Sequence, residues 1–346
     1  MNIKHTLHLS NINCFGFKMN CFSKKLSYSQ WYTPEFLNNN RVLLMGVAII
    51  LIILYHAYCV LGGPFIFFKY GYIGVDIFLL LAAFGLSYSY TKNTFGKFYL
   101  NRLKRIYPLY FICLSYATLS LIIRGEDVTL LDYICNITGL SYYKIGGQIL
   151  NWYLNAYLLF CFIFPLLFYL VKRLRIWAVF IVTIIVFGVY FFFEFYQLDM
   201  NWRHSCFVGR IPVFVFGLWL WFNNGKPVKD SLLMVLAILG MVAILYVDPF
   251  LGAALICPLF VKMISVVYRC MIMKRRYYRF LEYHGTSSLE LYVANGIAID
   301  LCLFVIENLS LTRWGKLYLL LPYFILTYII AYYLCKYNRS ISTLWK

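Results

Sequence analysis

Two residues that could do chemistry sit where chemistry is costly. His56 lies inside the apolar run that starts at Arg41, and Asp76 lies inside the next one, in Gly74-Val75-Asp76. Counted from the expected helix ends at about 1.5 Å per residue, both fall in the outer half of a membrane at similar depth. A pairing of His56 with Asp76 is therefore expected. A carboxylate at imidazole distance would fix the ring tautomer and favour a general base. Intramembrane charges also serve transport, so this pair alone leaves catalysis and transport both open.

Further along, Arg102 and Arg105 stand three residues apart in a basic loop, 92–105, and share one helical face. Arginine suits a bidentate grip on phosphate, so a phosphorylated donor such as an acyl-CoA fits there. A plain positive-inside anchor is the alternative. Glu290 lies about five residues into its apolar segment from the inner side, at a depth that could reach Arg102 or Arg105 but not His56. Arg210 opens the segment Arg210-Ile211-Pro212 from the outer side. It could meet an anionic or sugar acceptor there, or simply snorkel. Asn151, Trp152 and Pro165 add an amide, a ring and a kink to another segment, and Trp152 joins Arg210 as an acceptor-side candidate.

These residues need elements to hold them, and composition says which kind. Hydrophobic residues make up 63% and charged residues 13%, against roughly 25% charged in a soluble domain. Mean hydropathy is +0.74, so water is not the main solvent of this chain. Alternating strand patterns are absent, which favours an all-α polytopic bundle over a barrel. Apolar segments of spanning length fall at about 43–61, 71–91, 106–123, 151–171, 176–196, 208–222, 231–247, 249–267, 285–306 and 316–336. Asp248-Pro249 marks a tight turn between the seventh and eighth.

Charge checks the count. With an inside N-terminus, ten helices put 23 basic residues on the inner side and seven on the outer. Both termini are thus expected in the cytoplasm. The net charge of +18 belongs to these inner loops, and no basic folded domain exists to bind nucleic acid. Eleven cysteines include no CxxC pair, so neither a metal site nor a redox motif is expected. Residues 1–40 are read as a cytoplasmic, partly disordered segment without a signal peptide, 41–340 as the membrane domain and 341–346 as a tail; translation from Met19 is an open alternative.

Six stretches, in order, resemble the acyltransferase-3 family of integral membrane O-acyltransferases. They are LYH (54–56), GYIGVDIF (71–78), RIYP (105–108), NWYL (151–154) with Pro165, GRIPVFVFG (209–217) and GTSSLELYV (285–293). The resemblance implies about ten helices and transfer of an acyl group, usually acetyl from cytoplasmic acetyl-CoA, to a hydroxyl of a glycan or lipid-linked saccharide. On it, His56 is the catalytic base or acyl carrier, and Asp76 orients it. Arg102 and Arg105 handle the CoA phosphates, and Glu290 supports them. A bacterial inner membrane and a tunnel between helices 1, 2, 3 and 9 are the corresponding expectations.

The chain departs from the family pattern at three places. Met45 stands where the family has an arginine eleven residues before the histidine; Arg41, one turn lower, is expected to substitute by snorkelling. The Ser-Gly that commonly follows the second motif is altered, to Ala83-Phe84-Gly85, and Asn295 stands where many members have histidine. Two other readings are open: a transporter or flippase for a polar or lipid-linked saccharide, and a family member without activity.

Overall fold

A computed structural model describes residues 33–62, 66–139, 152–198, 200, 202–223, 225–270 and 275–344. The segment before Thr33 and the loop positions Tyr142, Tyr143 and Asn151 lie outside the described residues. Every regular element described is helical. In chain order these are α1 (Pro34–Asn39), α2 (Arg41–Leu61), a 3-10 turn (Ile66–Tyr70), α3 (Ile73–Lys92), α4 (Phe95–Ile123), α5 (Leu130–Ile137), α6 (Trp152–Leu174) and α7 (Ile176–Phe195). There follow α8 (Trp202–Val208), α9 (Ile211–Phe222), α10 (Asp230–Tyr246), α11 (Pro249–Cys270), α12 (Arg275–Thr286), α13 (Ser288–Leu309), α14 (Arg313–Tyr318) and α15 (Leu320–Leu344).

Nine spans among the described residues are long and apolar enough to cross a membrane, and α10 is a shorter apolar helix of 17 residues. Together they occupy the ten expected positions. Large apolar side chains such as Phe111, Phe162, Leu166, Phe191 and Leu245 are exposed on the outside of the bundle, the face a bilayer would cover.

Local sequence sets several ends. Thr33 caps α1 by accepting from the Phe36 amide at 3.2 Å, with Pro34 in the first turn, where its missing N–H costs nothing. Asp248 caps α11: its Oδ1 accepts from the Phe250 and Leu251 amides at 2.7 and 2.9 Å, and Pro249 opens the helix. The turn expected at Asp248-Pro249 is therefore present.

Two elements differ from the sequence reading. The basic stretch expected as a loop is helical from Phe95 on, so Arg102 and Arg105 stand on α4 rather than before it. The sixth span is also broken, into α8 and α9, at Gly209-Arg210. Pro212 has no N–H to return to the carbonyl four residues back, which favours the interruption. The break leaves Arg210 at a helix junction inside the bundle rather than on a regular helical face.

Candidate active site

Helix α2 carries both ends of the site. Arg41 starts it and His56 stands fifteen residues later, about 22 Å along the axis. Helix α3 packs against α2 through Gly74: a Cβ there would overlap the Ala48 carbonyl and press on Ile52 at 2.9 Å, so only glycine lets the helices come this close. That contact fixes the register. Asp76, two residues further, falls level with the middle of α2, about 12 Å below His56.

The register overturns the expected His56–Asp76 pair. The side chain of Asn295, on α13, lies 2.5 Å from His56 Nδ1. Asp76 instead faces Arg210, with Nε 3.2 Å from Oδ1 and both side chains excluded from solvent, 0% exposed for Asp76 and 1% for Arg210. The depth estimate failed because it counted from helix ends, whereas close packing at Gly74 sets the relative height.

The Asp76–Arg210 pair is in charge contact but poorly satisfied. Neither Asp76 oxygen accepts a well-aligned hydrogen bond, and Arg210 Nε and Nη2 donate none. Arg210 Nη1 donates to the Cys206 carbonyl at 2.9 Å. Its guanidinium carbon lies 5.2 Å from the Trp152 ring centre and 4.8 Å from that of Phe250, within cation–π range of both. The two acceptor-side candidates, Arg210 and Trp152, are thus in contact. Buried polar atoms without partners are rare and costly, so this pair has unused capacity for a polar ligand or water.

At the other end, Arg41 lies against α3. Its Nη2 and Nη1 sit 2.8 and 3.0 Å from where a Cβ on Gly85 would be. Glycine at that altered position makes the room that the Arg41 guanidinium fills. Arg41 is within electrostatic range of Arg105, Tyr157 and Arg102. The side-chain Nε atoms of Arg41 and Arg102 are buried and donate to nothing. No carboxylate pairs with any of the three arginines among the described residues. The structure thus brings Arg41, Arg102 and Arg105 together as an uncompensated positive cluster.

Glu290 does not join that cluster. It is buried, and its Oε1 accepts from Asn338 Nδ2 at 2.6 Å. Its face of α13 is turned to α15, where Cys335 lies within electrostatic range of it. The sequence expectation of an ion pair with Arg102 or Arg105 is corrected on this point.

Several polar residues were not singled out from sequence. Tyr153 and Tyr157 on α6 stack at 6.2 Å. Tyr153 is within electrostatic range of both Arg105 and Arg210, which connects the two ends of the site through α6 rather than only through the helices expected to wall a tunnel. On α13, Asp300 accepts from Tyr116 at 2.9 Å and Ser120 at 2.7 Å and pairs with Arg124 at 3.0 Å; Arg124 also pairs with Glu307. This second network ties α4 to α13 with its oxygens largely filled. An aspartate inside an apolar segment was the available signal for it. Among the described residues no cluster of three or more His, Cys, Asp or Glu side chains forms a metal site.

Taken together, fold and site define a polytopic helical membrane protein with a polar interior: a histidine near one end, a buried ion pair at mid-depth and an arginine cluster towards the other end. A family model described as an acyltransferase domain, that of the acyltransferase-3 family, matches residues 43–336, and the chain belongs to that family. Neither a curated protein nor a solved structure matches it.

Proposed function

We propose that this protein transfers an acyl group, acetyl in the simplest case, from cytoplasmic acyl-CoA to a hydroxyl of a glycan or lipid-linked saccharide, in a bacterial inner membrane. The observation that carries the donor half is the arginine cluster. Arg41 and Arg102 are half-buried, Arg105 is exposed beside them, and no carboxylate pairs with any of the three among the described residues. Like charges held close together call for an anion, and the phosphates of coenzyme A supply several. Arg41 fills the role of the family arginine missing at Met45. The excess of Lys and Arg in the loops on that side supports a cytoplasmic donor face with both termini inside.

In this reading the acyl-bearing arm of the donor extends from the cluster along α6, past Tyr157 and Tyr153. His56 takes the proton from the acceptor hydroxyl as its oxygen attacks the thioester carbonyl. The tetrahedral carbon then releases the CoA thiolate, leaving the ester. Arg210, with Trp152, holds the acceptor. Asp76 holds Arg210 in place rather than orienting His56. Glu290 joins α13 to α15 and lies outside the donor's reach.

The test uses inside-out membrane vesicles and acetyl-CoA labelled in the acetyl group, with label followed into the glycolipid fraction. Wild type is expected to transfer label and His56→Ala to lose it. Absence of transfer by well-expressed wild type across a range of saccharide acceptors would reject the enzyme reading.

A further inference from the structure

Tyr323 has one hydroxyl proton and two oxygen neighbours. Its Oη lies 2.9 Å from the Ile53 carbonyl and also contacts one end of the Asn295 side-chain amide. One proton cannot serve two acceptors; for both contacts to be hydrogen bonds it goes to the Ile53 carbonyl, which is fixed backbone and can only accept. The Asn295 atom facing Tyr323 must then be a donor, which turns the amide so that Nδ2 points to Tyr323. Amide oxygen and nitrogen are distinguished only by such bookkeeping. With Nδ2 committed, Oδ1 faces His56 Nδ1 across the 2.5 Å contact, and that ring nitrogen must carry the hydrogen.

We propose that Asn295 and Tyr323 are positioning residues that hold His56 as the Nδ1–H tautomer, through the chain Ile53 carbonyl, Tyr323 hydroxyl, Asn295 amide, imidazole. Each of the three contacts in the chain then has one donor and one acceptor. The lone pair of His56 is thereby confined to Nε2, which has no partner among the described residues. Tyr323 and Asn295 are fully buried, at 0% exposure each, so water does not compete for the relay. Free imidazole has no such constraint; here the backbone of α2, through Ile53, dictates the tautomer of a side chain three residues further along the same helix.

The catalytic consequence rests on the acyltransferase reading, but the tautomer does not, and the test separates them. The full chain, with nitrogen-15 in its histidines, is placed in lipid nanodiscs. Solid-state NMR reads which ring nitrogen is protonated, with His56→Gln assigning the signal. Wild type is expected to show Nδ1 protonated and Nε2 bare. Asn295→Leu should move the hydrogen to Nε2, and Asn295→Asp, which still accepts from Nδ1, should keep the wild-type pattern. Tyr323→Phe frees the amide to turn and should give a mixture, which serves if Asn295→Leu does not fold. In the transfer assay Asn295→Leu should lower kcat about 10- to 100-fold, part of what a general base supplies, with donor KM unchanged and Asn295→Asp restoring most of the rate. Wild type with hydrogen on Nε2, or a tautomer indifferent to both Asn295→Leu and Tyr323→Phe, overturns the proposal. An Nδ1–H wild type that transfers no acyl group supports the relay and rejects the enzyme.

Discussion

Two histidines of this bundle sit in seats that differ by one hydrogen bond. His284, on α12, has both nitrogens used: Nδ1 donates to the Phe280 carbonyl and Nε2 accepts from the Tyr328 hydroxyl, each at 2.7 Å. His56, on α2, has Asn295 on Nδ1 and nothing on Nε2 among the described residues. Both seats are completed by tyrosines of α15, five residues apart. A buried side chain with every valence filled holds elements together; one with a valence spare is available to a reactant. The same contrast separates Asp300, whose oxygens are taken by Tyr116, Ser120 and Arg124, from Asp76, whose oxygens accept no aligned hydrogen bond.

The largest effect should come from exchanging the fates of the two histidines. His56→Ala is expected to lower acyl transfer by about 10²- to 10⁴-fold, the range a general base contributes, while leaving thermal stability near wild type. His284→Ala should do the reverse, with turnover kept and the unfolding midpoint lowered. Equal losses of activity in purified, folded preparations of both variants would erase the distinction between the seats.

Asp76 and Arg210 test whether a spare valence can be had without a stability penalty. Asp76→Asn leaves the Arg210 charge buried without its partner and should cost about 3–5 kcal/mol of stability. Asp76→Leu combined with Arg210→Met removes both charges and should be more stable than the single variant, yet inactive towards the acceptor. Thermal unfolding beside the transfer assay reads both outcomes. A double variant with full activity would show that the pair does nothing for the acceptor.

A smaller effect is expected at Gly85. The nearest atoms an added Cβ would meet belong to the far end of the Arg41 side chain, which can swing away, so Gly85→Ala should fold normally. It would move Arg41 out of the arginine cluster. Donor KM is expected to rise by about tenfold, or about 1.4 kcal/mol, with kcat unchanged. An unchanged KM would mean that Arg41 is not part of the donor seat.

What the sequence could reveal divides along the same line. Apolar length located the spans, because burying backbone in lipid demands whole helices. It did not show α4 beginning at Phe95, since a run of Lys and Arg reads as a loop although it lies on a regular helix. His56 and Asp76 were legible as candidates because polar groups in apolar runs are expensive, and Arg102, Arg105, Arg210 and Trp152 because they stand at or near the ends of those runs. Their partners were not legible. Asn295 is 239 residues from His56, and a substitution there read as a departure rather than as a contact. Glu290 and Arg102 share a suitable depth, but which way α13 turns Glu290 is decided by its packing on α15. Depth follows from the count of residues, whereas facing follows from helix–helix contact.

The smallest predicted effect is one of pH, and it belongs to the filled seat. His284 lies outside the membrane-spanning segments, and burial lowers its pKa below the ordinary histidine value of 6.5. Protonation would place a hydrogen on Nε2, where the Tyr328 hydroxyl already donates, so the folded state resists it. Above about pH 6.5 the ring is neutral folded or unfolded, and the seat contributes fully. As pH falls below that value the unfolded chain binds a proton the folded chain does not, and stability falls. Wild type should therefore lose unfolding temperature between about pH 8 and about pH 5, and His284→Gln should lose less while being about 1–3 kcal/mol less stable at the higher pH. Parallel pH profiles for the two proteins would assign the acid sensitivity to some other group and leave His284 no more than a spacer between α12 and α15.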